Sequence, residues 1–185
     1  MHEPARLLEV IRLGHPVLRT TAEPVPEEWF GSGRLDELGR DLVRTMMEEE
    51  GVGLAAPQVA EQLRLFSYWL PAHDDDPEIE PTVVVNPEIK VVDPGLEEGW
   101  EGCLSIPGLR GMVPRYKRIK VKGRTIDGES LSFTADGFQA RVIQHESDHL
   151  DGVVFLDRMT SPHSLAFEEE WEQYILPDTE PSAEE

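Results

Sequence analysis

Residues 137–150 read GFQARVIQHESDHL, and we predict that this stretch forms the helix on which the fold depends. The helix is expected to end near Gly152, because glycine is common just past a helix C-terminus. Residues four apart share one helix face, so His145 and His149 can together hold one divalent ion. Glu146 can then act as a base on a water molecule that the ion activates.

Other segments have the alternation of strands or the apolar stripe of helices. Strands are predicted at 63–70, 82–85, 117–126 and 129–135. The last two flank Asp127-Gly128, a pair that favours a two-residue hairpin turn. Further helices are predicted at 35–49 and at about 162–175. This pattern indicates an α+β fold in which antiparallel β-sheets pack around the central helix with its two histidines.

The composition indicates one globular domain in the cytoplasm. Of the 185 residues, 39% are hydrophobic and 29% are charged, which is ordinary for a protein with a substantial core. The apolar runs are far shorter than the roughly 18 residues of a membrane span, and we recognise no signal peptide. We predict a single catalytic domain at 1–160, a C-terminal helix at 161–176 and a disordered acidic tail at 177–185.

The net charge of −20 argues against binding of nucleic acid through phosphate contacts. We expect this charge to keep the protein soluble. The candidate basic patch, residues 115–122, alternates like a strand with one solvated face. Ile119 and Val121 would then be buried, and the lysines between them exposed. The acidic run at 73–78 lacks the glycine and distal glutamate of an EF-hand, so we expect a solvated loop.

The two-histidine motif alone fits a solvated helix face about as well as a metal site, and a third ligand would decide between them. Glu168, Glu169 and Glu170 follow at a spacing that thermolysin-like proteases use, but they also suit an acidic surface. Cys103 competes with them, because a thiolate and two imidazoles leave one tetrahedral position for water. As the one cysteine of the chain, it can form no intrachain disulfide.

Two further features surround this proposed centre. The loop Gly51-Val52-Gly53-Leu54-Ala55-Ala56-Pro57-Gln58 lacks the features of a phosphate-binding loop. Its small residues and glutamine suit a loop that hydrogen-bonds an extended ligand. On the central helix, Phe138 and Val142 share the face of His145 and would form an apolar wall. Arg141 would lie at the rim or extend past its own stem to solvent.

Three motifs stand in a specific order along the chain: Gly51 to Gln58, Glu101-Gly102-Cys103-Leu104-Ser105, and Gln144-His145-Glu146-Ser147-Asp148-His149-Leu150. In this conjunction the chain resembles the peptide deformylases, from about Val10 to Met159. The segment 137–141 is closest in pattern to the organellar-like branch. The resemblance implies a cytoplasmic metal hydrolase that removes the formyl group from the N-terminal formylmethionine of nascent polypeptides and releases formate.

The resemblance also implies roles for individual residues. Metal ligands would be Cys103, His145 and His149; Glu146 would be the general acid and base; the Gln58 amide and the Leu104 backbone N–H would stabilise the oxyanion. Substrate contacts are expected from Val52, Gly53, Leu54, Trp100, Glu101, Gly102, Phe138, Arg141 and Val142. One divalent metal is expected, Fe(II) above others, with Zn, Ni or Co possible in purified samples. The partners would be N-formylmethionyl peptides and, transiently, the translating ribosome, with neither nucleic acid nor membrane bound directly.

Two other functions stay open from the residues. One is a thermolysin-like endopeptidase whose third ligand is Glu168, Glu169 or Glu170. The other is a metal-containing scaffold without activity, although a structural site has no need of Glu146 or Gln58. The C-terminal segment is acidic, whereas many bacterial deformylases carry a basic C-terminal helix for ribosome docking, so that property is not carried over.

Overall fold

The computed structural model describes residues 4–72 and 77–176. The α-helices in these ranges are α1 (Arg34–Glu48), α2 (Gly137–Leu150), α3 (Phe155–Arg158) and α4 (Glu168–Tyr174). The strands are β1 (Gly53–Ala55), β2 (Leu65–Leu70), β3 (Ile79–Cys103), β4 (Ile106–Arg124), β5 (Ser130–Asp136) and β6 (Ala166–Phe167). Short 3₁₀ helices cover Pro16–Arg19, Glu27–Trp29, Ala56–Val59 and Pro162–Ser164.

The strands form one antiparallel sheet in the order β1-β2-β3-β4-β5, and β6 pairs with residues 109–110, near the start of β4. The α+β class with antiparallel pairing is therefore confirmed. Within the described ranges, none of the helices has the length and apolar character that a membrane crossing requires.

Side chains of strand β2 pack against helices on both faces of the sheet. Its sequence, LFSYWL, alternates between them. Phe66 and Tyr68 pack in the cluster that contains Ile143 of α2, whereas Leu65 packs with Leu42 and other residues of α1. The predicted helix at 35–49 is confirmed, except that Met47 of its apolar stripe is 41% exposed. Helix α2 is the more deeply buried, as the sequence predicts for the central helix.

The long hairpin of β3 and β4 was largely missed by the sequence prediction. Strand β3 continues from the predicted 82–85 to Cys103, and a two-residue turn joins it to β4. Register shifts between Val85 and Glu88, and again between Val91 and Leu96, break the alternation that would have revealed the strand. Because β3 ends at Cys103 and β4 begins at Ile106, Cys103 lies at the tip of the hairpin.

Two boundary predictions were wrong. The C-terminal helix does not begin near 162, because a 3₁₀ turn follows the Ser161 cap and residues 166–167 then pair with β4; α4 begins only at Glu168. The β4–β5 connection is longer than two residues: Gly128 has a φ of 87°, whereas Asp127 does not adopt positive φ. Most of the predicted acidic loop, at 73–76, and the predicted tail at 177–185 lie outside the described residues.

Candidate metal centre

Three ligand side chains from two elements meet at the hairpin tip. Within the described part of the chain, Cys103, His145 and His149 have potential ligand atoms that all lie within 4.8 Å of one another. Cys103 Sγ is 3.4 Å from His149 Nε2, which is 3.2 Å from His145 Nε2. The helical spacing of the histidines brings them together, whereas only the hairpin fold adds the cysteine.

These separations fit a tetrahedral divalent ion. Metal–nitrogen bonds of about 2.0–2.1 Å and a metal–sulfur bond of about 2.3 Å place tetrahedral ligand atoms about 3.3–3.6 Å apart. Burial, followed by the charge of His145, lowers the pKa of His149 well below its usual value, which favours the neutral ring that ligates metals. A Cys-His-His set leaves one coordination position for a reactant.

A buried ion network fixes the orientation of His145. Its Nδ1 lies 2.9 Å from a carboxylate oxygen of Glu101, so Nε2 is left to face Cys103 and His149. Arg115 donates two hydrogen bonds to Glu101 and a third to Asp148. Burial raises the pKa of Glu101, but hydrogen bonds from Arg115 and His145 outweigh it and lower this pKa to about 2. The carboxylate is therefore charged, and it holds the imidazole in place.

Arg141 was expected either at the rim of the pocket or extended to solvent. It belongs to the same network and does not extend to solvent. It is only 8% exposed. Its guanidinium donates to Glu101 and to the backbone oxygens of Glu97, Gly99 and Val113. A Cβ at Gly99 would lie 2.7 Å from the guanidinium carbon, so the absent side chain there makes room for it. Arg141 thus ties α2 to both strands of the hairpin.

Glu146 lines the same cavity as Cys103 and His145. Its Oε2 is buried and has no hydrogen-bond partner in the described structure. Burial raises the pKa of Glu146 to about 7, in spite of the nearby charge of His145. A carboxyl group poised near neutrality suits the transfer of protons in both directions.

Gln58 presents an amide donor to the same space. The backbone N–H of Ala55 donates to Gln58 Oε1 at 2.8 Å, which turns the NH₂ group toward the hairpin tip. There, Nε2 lies 3.5 Å from Cys103 Sγ and 3.2 Å from Ser105 Oγ. Gln58 is 1% exposed, so its amide is held firmly in a buried position.

These groups open into a cavity of about 530 Å³. Its lining includes most of the predicted site residues: Val52, Gly53, Gln58, Trp100, Glu101, Gly102, Cys103, Leu104, Phe138, Arg141, Val142, His145 and Glu146. Leu54 departs from the expectation, because its side chain is fully buried in the cluster with α1. Alternation along β1 directs it away from the cavity, and only its backbone is left for a ligand.

Comparison with known proteins decides the family. A family model described as polypeptide deformylase matches residues 7–164, a range that includes all the residues of the centre. The chain belongs to the peptide deformylase family. Peptide deformylases remove the formyl group from the amino terminus of nascent polypeptides, and the chain is therefore a metal-dependent hydrolase.

Its curated relatives match over nearly their full length. The chain is 42% identical over 179 residues to peptide deformylase 2 of Pseudomonas syringae pv. tomato, covering 95% of this chain and 98% of the relative. It is 43% identical over 176 residues to peptide deformylase 2 of a Nostoc species, covering 94% and 97%.

Solved deformylases share the fold as well as the sequence. A class I type b peptide deformylase from Acinetobacter baumannii, crystallised with Met-Ala-Ser, matches at a TM-score of 0.78 and 40% identity, covering 84% of this chain and 99% of that one. A deformylase from Synechococcus elongatus in complex with actinonin matches at 0.76 and 35% identity, covering 94% and 87%.

The three glutamates considered as alternative third ligands do not belong to the ligand cluster in the described structure. Glu168 accepts hydrogen bonds from Arg110, and Glu169 and Glu170 are exposed. No metal-binding group in the described structure includes them. The thermolysin-like arrangement is therefore not the one that the chain adopts.

Sequence reasoning missed several residues of the deformylase site. Arg115 belonged to the candidate basic patch 115–122, which was interpreted as a strand with one solvated face, but it is 5% exposed and hydrogen-bonded to Glu101. The alternation of buried Ile119 and Val121 could have indicated that Arg115 is buried. Arg115 lies four residues before Ile119 and six before Val121, and an even separation places residues on the same side of a strand. Charged residues outside the predicted site also line the cavity without any local motif: Glu49, Glu50, Arg110 and Glu168.

Proposed function

We propose that this deformylase holds one divalent ion, Fe(II) in the cell, on Cys103, His145 and His149, and that Glu146 performs its proton transfers. The observation that carries the proposal is the convergence of the three ligand atoms within 4.8 Å beside a buried carboxylate oxygen of Glu146 that has no hydrogen-bond partner in the described structure. A mixed thiolate and imidazole set suits borderline ions, so Zn, Ni or Co could replace iron during purification.

A divalent ion at this position supplies Lewis acidity, which lowers the pKa of water and polarises a carbonyl group. Glu146 takes the proton from the water that attacks the formyl carbon. When the C–N bond breaks, Glu146 returns this proton to the departing amine, so formate and a free N-terminus result. A pKa of about 7 lets the same carboxyl group accept and donate near neutral pH.

Gln58 and Leu104 are proposed to stabilise the negative charge that develops on the formyl oxygen. The hydrogen bond from the Ala55 N–H turns the amide of Gln58 toward this space, which favours donation to the formyl oxygen. The backbone N–H of Leu104, next to the ligand Cys103, is the second proposed donor. Loss of one such donor costs about 10²–10³-fold in rate in other enzymes.

The substrate is proposed to be an N-formylmethionyl peptide that lies along β1. Val52 and Gly53 would face its backbone, and Phe138 and Val142 would contact the methionine side chain. The Acinetobacter relative that binds Met-Ala-Ser supports such a peptide site. Because nascent chains carry this substrate, we place the enzyme in the cytoplasm, with transient ribosome contact. The catalytic domain, expected at 1–160, would extend to Glu168, the residue of α4 that lines the cavity.

Formate release from formyl-Met-Ala-Ser tests the role of Glu146. The variant Glu146→Gln keeps the shape of the side chain but cannot accept the proton, so we expect a loss in kcat of about 10²–10⁴-fold. Metal content should stay at the level of the parent protein. Glu169→Gln, an exposed glutamate on α4, is the matched control. A Glu146→Gln enzyme with the parent rate would remove this residue from the mechanism.

A further inference from the structure

Residues 6–13 cross from α1 to the tip of the β3–β4 hairpin, and we call this segment the N-terminal strap. It lies outside the helices and strands, and none of its side chains is fully buried. Four of its backbone N–H groups donate hydrogen bonds to other parts of the fold: those of Arg6, Leu8, Ile11 and Leu13. Backbone hydrogen bonds therefore contribute much of what fixes the path of the strap.

Two buried side chains of α1 hold the start of the strap. The Asp41 carboxylate accepts hydrogen bonds from the Arg6 backbone N–H at 2.6 Å and from Arg6 Nε at 3.0 Å. The Thr45 hydroxyl accepts one from the Leu8 N–H at 2.9 Å and donates one to the Asp41 backbone oxygen at 2.7 Å. Asp41 is 1% exposed. Because a buried carboxylate is costly without its partners, this contact ties the strap to α1.

The other end of the strap reaches the residues that carry the two proposed oxyanion donors. The Ile11 N–H donates to the backbone oxygen of Gln58 at 2.8 Å, and the Leu13 N–H donates to the backbone oxygen of Ser105 at 2.8 Å. Ser105 follows Leu104 in the two-residue turn of the hairpin. Its hydroxyl also accepts a hydrogen bond from Gln58 Nε2. The strap thus holds the backbone of one donor and the turn that contains the other.

An apolar contact supports this connection. The side chain of Val10, between the two ends of the strap, packs against the buried cluster that contains Leu54 and Ala56. Leu104 of the hairpin turn packs against the same cluster. The strap, the segment that leads to Gln58 and the hairpin turn therefore rest on one set of buried side chains.

We propose that Asp41, through the N-terminal strap, is a positioning residue that sets the alignment of the Gln58 amide with the Leu104 N–H. The inference rests on the proposed deformylase function and concerns a residue outside the lining of the active-site cavity. The two donors belong to separate elements, and strap N–H groups two residues apart bridge these elements. Because the donors act on charge that develops in the transition state, misalignment lowers kcat and leaves KM nearly unchanged.

Backbone esters test the two contacts at the end of the strap. The α-hydroxy acid analogue of Ile11 lacks the N–H that donates to Gln58 but keeps the side chain. We expect kcat for formate release from formyl-Met-Ala-Ser to fall by about 5- to 30-fold, with KM within about twofold, because small displacements of catalytic groups are costly. The ester at Leu13 should cause a similar loss. An ester at Leu7, whose N–H is not one of the four donors, is the matched control.

A double-mutant cycle separates positioning from a general loss of stability. In Gln58→Ala, the ester at Ile11 should lower kcat by less than about twofold, because the donor that it positions is absent. The ester at Leu13 acts through Leu104 and should keep its effect in that background. Metal content should match that of the parent protein throughout. Equal effects of the Ile11 ester in the parent and Gln58→Ala backgrounds would overturn the proposal.

Substitutions of Asp41 test the contact at the start of the strap. Asp41→Ala removes the acceptor of both Arg6 groups, and we expect kcat to fall by about 5- to 30-fold with KM within about twofold. Asp41→Asn keeps an oxygen that can accept from the Arg6 N–H, so its loss should be smaller. Glu48→Gln, an exposed glutamate of α1, is the control and should keep the parent kcat. If Asp41→Ala does not fold, Asp41→Asn and the esters decide.

The outcomes distinguish the strap from the reaction that it serves. The parent kcat in the Ile11 ester or in folded Asp41→Ala would overturn the role of the strap, as would a rise in KM without a loss in kcat. A Gln58→Ala enzyme with the parent kcat would instead reject the oxyanion role of Gln58. A parent protein that released no formate would reject the proposed function itself.

Discussion

Gly53 shows how closely the substrate loop approaches the proposed general base. A Cβ atom at this position would lie 2.2 Å from Glu146 Oε1 and 2.7 Å from its carboxyl carbon. Gly53 is not among the glycines with positive φ, so backbone conformation does not require it. The sequence left open whether Gly51 and Gly53 served conformation or close approach, and close approach is what both serve.

Gly53→Ala should therefore displace the Glu146 carboxylate. A misplacement of about 1 Å can cost about 10²-fold in rate, and we expect a loss of this size in kcat for formate release. Circular dichroism should show the parent fold. Gly95→Ala is the control, since the nearest atom to its Cβ is a flexible Asp93 oxygen at 3.1 Å. If the two variants kept equal activity, the close approach would place no constraint on catalysis.

At the scale of elements, buried charge joins α2 to the β3–β4 hairpin. Glu101 accepts hydrogen bonds from Arg115 and Arg141, and its second oxygen also contacts His145. The side chains of this network are at most about a tenth exposed. Removing one partner from such a network leaves the other charges and carbonyls without compensation, which is more costly than losing a surface pair.

Arg141→Met should accordingly lower the free energy of unfolding by about 3–5 kcal/mol in urea titrations. It should also weaken Zn(II) affinity by about 10–100-fold, because Glu101 loses part of its support for His145. Arg118→Met removes an arginine from an exposed pair with Asp136 and should leave the free energy of unfolding nearly unchanged. Similar losses in the two variants would show that burial does not set the contribution of Arg141.

Helix α3 offers a test of pH dependence away from the metal ligands. Burial raises the pKa of Asp157, but the Arg19 side chain and the Val154 N–H lower it more, so the net pKa is below the usual value. Such a carboxylate stabilises the fold fully above its unfolded pKa of about 3.9, and this contribution disappears as the pH falls through the folded pKa.

Asp157→Asn should thus lower the free energy of unfolding at pH 7 by about 0.5–1 kcal/mol, a modest value because the pair with Arg19 is partly exposed. The difference from the parent protein should shrink as the pH is lowered from 5 to 3. Glu172→Gln, on exposed α4, controls for the loss of a negative charge. A difference that grew on acidification would contradict the lowered pKa.

The elements also show where sequence patterns fail. Helix α2 was predicted with its observed bounds, because the spacing of His145 and His149 is helical and Gly152 marks the C-terminal end. Strand β3 was recognised only over its first part, since bulges shift the side-chain alternation several times before Cys103. Residues 166–167 were assigned to a helix, but pairing with β4 overrides their local preference.

For the whole molecule, a bound ion would link parts of the chain that are far apart in sequence. Adding Zn(II) to metal-free protein at about 100 times its dissociation constant should stabilise the fold by about 2.7 kcal/mol. For a protein of this size, that corresponds to a rise in Tm of about 5–10 °C, measurable by scanning calorimetry. Cys103→Ala should abolish most of the rise, whereas Glu169→Gln should retain it. The reverse pattern would make a glutamate of α4 the third ligand.

The sequence by itself determined the family, the α+β class and the central helix, because short motifs in a fixed order and a helical face are local properties. It also proposed Cys103 over Glu168 as the third ligand, a choice that the spatial cluster supports. Only the tertiary structure showed that Arg141 and Arg115 donate hydrogen bonds to Glu101 and that Glu168 of α4 lines the cavity. These contacts join residues that are distant along the chain, and no local pattern records which of them the packing of the sheet, hairpin and helices will bring together.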